Sequence, residues 1–163
     1  MSSICFIADG MLGSLARKLR IFGFDTLYYN DIEDFKLIEI GEQQERVLLT
    51  CDKILIQRAM NAGISSVLLD GSGDVDDMIH ILRNYKINFV EFLPENSRCP
   101  ICNNILDRCD KNSINKLIPE KIFNIHERFY LCKQCNKVYW EGSHLKKLRE
   151  FGLFVKRGLN DTS

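Results

Sequence analysis

In the first half of the chain, short apolar runs alternate with segments whose apolar residues recur at helical spacing. Ile4–Ala8 is a run long enough for a buried strand. Met11–Phe22 puts Leu12, Leu15, Ala16, Leu19 and Phe22 on one helical face, and Gly23 follows where a helix-ending glycine belongs. Thr26–Tyr29 is β-branched and aromatic and predicts a strand, followed by an acidic loop Asn30–Asp34 and a helix Phe35–Glu45. Val47–Thr50 predicts a strand, Lys53–Asn61 a helix and Ser66–Leu69 a further strand. Gly71–Gly73 predicts a turn. Asp74–Tyr85 predicts a helix with Val75, Met78, Ile79 and Leu82 on its apolar side, and Asn88–Leu93 is a last strand-like run.

Strands alternating with helices of about ten residues imply βαβ units and a parallel sheet, so the expected class is α/β. In such sheets functional groups gather beyond the carboxyl ends of the strands. That rule singles out Asp9, Asn30–Asp34, Thr50–Asp52 and Asp70, with a carboxylate close behind each strand end.

The pattern changes at Leu93-Pro-Glu-Asn-Ser97, which marks a boundary. Val138-Tyr-Trp140 reads as a ribbon strand, and Glu141-Gly-Ser-His144 leads into a helix with Ser143 as its expected N-cap. Gly158–Ser163 reads as a frayed tail. The expected organisation is a domain over 1–94, a small ribbon over 95–148 and a C-terminal tail over 149–163.

Composition narrows the class. With 45% hydrophobic and 27% charged residues in 163, the chain suits a globular fold with a small appendage. No apolar run approaches the roughly 20 residues needed to cross a membrane. The opening residues have no basic n-region, so no signal peptide and a cytoplasmic location are expected. The net charge of zero divides unequally: residues 1–95 hold 9 Lys/Arg and 15 Asp/Glu, giving −6, and residues 96–163 hold 13 and 7, giving +6. An acidic domain suits divalent metal, and a basic appendage suits a phosphate backbone. Mutual attraction of the two halves is the plainer account.

Four of the seven cysteines form Cys99-Pro-Ile-Cys102 and, twenty-nine residues later, Cys132-Lys-Gln-Cys135. Two Cys-x-x-Cys turns supply the four thiolates of a tetrahedral zinc site, and a closed shell makes such a zinc structural. Asn103 and Asn136 follow the second cysteine of each pair, where left-handed backbone is often needed. A dithiol redox site ordinarily has one pair near a βαβ start. Ser113–Arg128 is expected to loop out as an insert. Cys5 and Cys51 read as buried thiols; Cys109 has no assigned place. Lone His144 reads as structural, and His80 and His126 belong to no constellation.

Three stretches together resemble a known family. Phe6-Ile-Ala-Asp9-Gly-Met-Leu-Gly-Ser-Leu-Ala-Arg17-Lys-Leu-Arg20-Ile-Phe-Gly-Phe-Asp25-Thr, Arg46-Val-Leu-Leu-Thr50-Cys-Asp52 and Cys132-Lys-Gln-Cys135-Asn-Lys-Val-Tyr-Trp-Glu-Gly-Ser-His144 occur in the order of the signatures of the Mut-seven C-terminal RNase family. The resemblance spans about residues 4–148. It implies a PIN-like three-layer α/β/α domain followed by a zinc ribbon, and hydrolysis of RNA phosphodiesters, the RNA being tRNA or another structured RNA. It also implies three or four acids around Mg²⁺ or Mn²⁺. Asp9 matches the acid after the first strand, and Asp52 that of the Thr-x-Asp motif, with Thr50 beside it. Asp31 and Asp34 both lie in the loop of the intervening acid, Asp34 being favoured, and Asp70 or Asp74 would supply a fourth.

Hard Mg²⁺ takes oxygen ligands and generates a nucleophile from bound water at neutral pH. Arg17 and Arg20, one helical turn apart and beside Asp9, are candidate phosphate clamps. Lys146, Lys147 and Arg149 decorate the last helix, Lys146 and Lys147 being candidate backbone contacts. Helix capping is the competing account of Asp9, Asp34 and Asp52. A non-catalytic RNA-binding or protein-binding module on the same fold is the competing account of the whole.

Overall fold

The computed structural model describes residues 4–88 and 90–161. Residues 1–3, Phe89, Thr162 and Ser163 lie outside them, Phe89 falling in the expected Asn88–Leu93 run and Thr162 and Ser163 in the expected tail.

The apolar runs become strands β1 Cys5–Ala8, β2 Asp25–Tyr28, β3 Val47–Thr50 and β4 Ser66–Leu68, paired in parallel in the order β2-β1-β3-β4. Between them run α1 Gly13–Ile21, preceded by a 3-10 turn Gly10–Leu12, then α2 Asp34–Gln43 and α3 Lys53–Asn61, with α4 Asp74–Asn84 after β4. Side chains alternate across a strand, so each strand feeds two cores. Phe6, Ala8, Val47 and Leu49 pack with α1 and α4 on one face. Ile7 and Leu48 pack with Leu37 of α2 and with Leu55 and Ala59 of α3 on the other. The result is the expected α/β/α sandwich. Gly23 ends α1 at φ +92°, and a Cβ there would lie 3.0 Å from the Asn96 carbonyl oxygen, so glycine also admits the linker. The described residues of the Asn88–Leu93 run form no strand.

The ribbon is a three-stranded antiparallel sheet of β5 Asp107–Cys109, β6 Phe129–Cys132 and β7 Lys137–Trp140. The 113–128 insert does not simply loop out. It carries α5 Glu120–Ile125, and Ile114 and Ile118 bury themselves against Phe129, with Cys109 packed at the edge of that cluster. Apolar residues spaced through the insert had a second small core to fill.

The expected tail from residue 149 is instead the body of α6 His144–Asn160. Ser143 precedes this helix but makes no side-chain capping bond. The helix crosses α1 and α4: Phe151 meets the Phe22 ring at 5.6 Å between centroids, and Val155 is wholly buried in the main core. Gly152 and Gly158 lie against Phe22 and Ile79, where a Cβ would collide. Arg83 Nη2 donates to the carbonyls of Gly158 (2.6 Å) and Asp161 (3.0 Å) at its C-terminus. No helix of the described residues is long and apolar enough to cross a membrane.

Candidate metal centre and acidic edge

The four ribbon cysteines converge. Their sulfurs all lie within 4.8 Å of one another, with Cys99–Cys135 at 3.5 Å, Cys102–Cys132 at 3.3 Å and Cys102–Cys135 at 3.9 Å. A zinc–sulfur distance of about 2.3 Å gives tetrahedral edges of about 3.8 Å, so the donor set fits zinc in kind and in spacing. Asn103 at φ +69° and Asn136 at φ +52° close both turns in the left-handed conformation expected of them. Burial pushes the Cys99 thiol up. The Tyr139 hydroxyl at 3.2 Å and the amides of Cys102 and Ile101 outweigh burial and bring that thiol to about 6, while burial and the neighbouring sulfurs hold Cys135 up at about 12.

The first cysteine turn is bolted to the amino edge of the parallel sheet. Arg20, 4% exposed, donates from Nε to the Thr26 carbonyl (2.8 Å) and from Nη1 to the carbonyls of Pro100 and Ile101 (3.0 Å each). Asn103 accepts from the Thr26 amide and donates to Asp25, each at 3.0 Å. Asp25 also pairs with Arg46 at 2.5 Å and Arg98 at 3.3 Å. Burial raises the Asp25 carboxyl, but Arg46, Asn103 and Arg98 more than offset this and hold it below the ordinary range. Arg20 is therefore no phosphate clamp. Its carbon stem turns inward at the end of α1, and its donors serve backbone carbonyls that the ribbon would otherwise leave unpaired. Arg17 is exposed, so the two do not share a solvent face.

The expected acids lie toward the opposite, carboxyl edge. The Thr50 hydroxyl, fully buried, donates to Asp9 Oδ2 at 2.8 Å, and the Gly10 amide donates to Oδ1 at 2.6 Å, so both oxygens of Asp9 are held. The Asp52 amide donates to Thr50 Oγ1 at 2.9 Å, which orients the hydroxyl that joins the ends of β1 and β3. Asp52 Oδ1 accepts from Ile54 (2.6 Å) and Leu55 (3.3 Å) and caps α3, so the capping account holds for this residue. Asp34 is the first residue of α2, and its carboxylate takes Arg58 of α3 at 2.8 Å. Asp74 is bound by Lys18 and, at 2.6 Å, by the Ser14 hydroxyl, which joins α4 to α1. Asp70 is exposed and folds its own turn by accepting from the Ser72 amide at 3.0 Å. Asp31 is exposed in the loop after β2, whose Asn30 carbonyl lies against Gly10.

Among the described residues, the cysteine quartet is the only group of three or more His, Cys, Asp and Glu side chains gathered closely enough to hold an ion. The expected meeting of Asp9, Asp34 and Asp52 is not formed. Arg58 draws Asp34 to the α2–α3 side, and the helix amides draw Asp52 away.

The acid that pattern reading passed over is Asp77. It sits in the first turn of α4 and is 4% exposed. Burial raises its carboxyl, Asp70, Asp74 and Asp76 add to the rise, and the Gly71 amide opposes it. Cys51 lies among these acids. Burial raises its thiol first, followed by the charges of Asp77, Asp9 and Asp70. Asp77 stands next to Met78 on the apolar side of a helix rich in first-turn acids, and only the buried position separates it from Asp74 and Asp76. Lys146 and Lys147 are exposed in the first turn of α6.

A family model described as the Mut7-C RNAse domain matches residues 4–151. No curated protein and no solved structure matches the chain.

Proposed function

Since the chain belongs to the Mut7-C RNAse domain family, we propose that it is a metal-dependent ribonuclease working at the carboxyl edge of its parallel sheet. The observation that carries the reading is the Asp9 carboxylate held by Thr50 at the end of β1, with Asp77 buried in the first turn of α4 and the charges of both acids raising the Cys51 thiol. Asp9 and Asp77, with Asp31 from the loop after β2, would hold Mg²⁺ or Mn²⁺. A three-carboxylate cage is not required, because Mg²⁺ is ordinarily bound through one or two carboxylates with waters and substrate phosphate oxygens completing its shell. The ion would polarise the phosphoryl group and lower the pKa of a bound water.

The chain's own residues supply the rest. Thr50 fixes the carboxylate of Asp9 and leaves it no freedom to turn. Burial and the neighbouring acids raise the Asp77 carboxyl, so a cation beside it would relieve its charge. Arg17, exposed on α1, would meet a phosphate. Lys146 and Lys147 would contact the backbone of the RNA, tRNA or another structured RNA. The cysteine quartet would hold one structural zinc, a reading that suits a reducing cytoplasmic compartment.

The test is cleavage of a mixed RNA pool with and without Mn²⁺ by the wild type, Asp9→Asn and Asp77→Asn. Loss of Mn²⁺-dependent cleavage in both variants, with folding intact, is expected. Full activity in Asp9→Asn would sink this site and leave the non-catalytic RNA-binding or protein-binding reading.

A further inference from the structure

A cleft of about 440 Å³ opens where the end of α1, the linker and the ribbon meet the first turns of α6. Phe92, Tyr130, Trp140, Leu145 and Leu148 line it, and Glu141 is its carboxylate. Trp140 keeps 36% of its surface exposed. Glu141 Oε1 takes no hydrogen bond, its nearest cation being Arg128 Nη1 at 3.6 Å. The turn that contributes Leu145 and Leu148 also carries exposed Lys146 and Lys147, within the part of the chain whose net charge is +6. An aromatic slot with one carboxylate, with Arg98 and His144 in its lining and Lys146 and Lys147 exposed on the same turn of α6, matches a planar ring that bears N–H donors and hangs from a polyanion.

We propose that this cleft binds one base of single-stranded RNA, stacked against Trp140, with a base amino group donating to Glu141. A carboxylate accepts from the exocyclic amino group of a base such as cytosine, whereas uracil offers only its ring N3–H. The cleft adjoins Ile21, Ser97 and Pro100 at the amino edge of the sheet, whereas the acids stand toward the other edge. The held base is therefore remote from the bond to be cut, separated by at least the height of a four-residue strand, about 13 Å. The choice of RNA as ligand rests on the ribonuclease reading; the chemistry of the cleft does not.

Trp140 is the one tryptophan in the chain, so its emission reports the cleft directly. The full-length, zinc-loaded protein is titrated, without Mg²⁺ or Mn²⁺, with hexamers of cytidine, uridine and an abasic backbone of equal charge. Saturable quenching by the cytidine hexamer is expected, with roughly tenfold weaker binding of uridine and no quenching by the abasic chain. Glu141→Gln should erase the preference for cytidine. Labelled-hexamer anisotropy for Trp140→Leu should show weakened binding; if that variant fails to fold, the Glu141→Gln result decides. Equal quenching by the abasic chain, an unchanged preference in Glu141→Gln, or binding without quenching overturns the proposal. Capture of a peptide but of no hexamer also overturns it. Cleavage without quenching would refute the cleft and spare the nuclease. Quenching with no cleavage when Mn²⁺ is restored would do the reverse.

Discussion

The guanidinium of Arg20 holds the carbonyl of Ile101 at 3.0 Å, and with it the first cysteine turn of the ribbon. The same side chain binds Thr26 at the start of β2. The cysteine quartet and the parallel sheet are thus joined through one buried cation. Replacing Arg20 with Met would leave three carbonyls short of a donor. Hydrogen bonds to charged groups contribute about 1.5–3 kcal/mol each, so the whole chain should lose several kcal/mol. Chemical denaturation should show the loss in the sheet domain as well as in the ribbon. A transition confined to residues beyond 95 would refute the coupling.

Zinc should be present at about one ion per chain, since four ligands close one tetrahedral shell. Cys132→Ser should abolish it and unfold the ribbon, because metal binding supplies much of the folding free energy of so small a module. Metal analysis with near-ultraviolet circular dichroism checks both. A folded ribbon in metal-free wild-type protein would contradict the reading.

Helix α6 should be indispensable to stability. Val155 is wholly buried, and Val155→Ala should cost about 2 kcal/mol through lost burial and the cavity left behind. Removing residues 149–163 should expose the core at Phe22 and Met78 and lower the melting temperature sharply. An unchanged melting temperature after truncation would restore the tail.

Asp77 gives stability a pH signature. Its folded-state pKa is raised, so it favours the folded state fully only below the unfolded carboxylate value, and the advantage is lost as pH rises through the folded value. Asp77→Asn should therefore stabilise the protein at neutral pH, and the gain should shrink as pH falls through the raised folded value and be gone below the unfolded carboxylate value of about 4. Melting curves at several pH values measure this. A gain independent of pH would show that burial of the charge is not the cause. Asp52→Asn should leave stability nearly unchanged, because Asn caps a helix about as well as Asp.

RNA binding should weaken steeply with salt, since cationic contacts release counterions from the backbone. Charge reversal at Lys146 and Lys147 should flatten the dependence of log Kd on log salt. Salt-independent affinity would favour a protein-binding module.

The alternation of apolar runs with helical periods was enough to place β3 and α3 at their observed bounds and to set a parallel sheet with acids toward its carboxyl edge. Two Cys-x-x-Cys turns separated by twenty-nine residues were enough to foresee the convergence of four sulfurs, because the spacing within each turn dictates where its sulfurs point. These features are local: each follows from residues a few positions apart. Partner choice is not local. Arg20 resembled Arg17 until the ribbon, some eighty residues on, brought carbonyls to its donors. Asp34 resembled a metal ligand until Arg58 claimed it, and Asp77 was one of three first-turn acids until packing buried it alone. The length of α6 was hidden because its apolar residues look for a face made by α1 and α4, which exists only once the sheet has folded. A charged side chain takes its role from the groups that desolvate it and pair with it, and tertiary contacts bring those groups from distant parts of the chain.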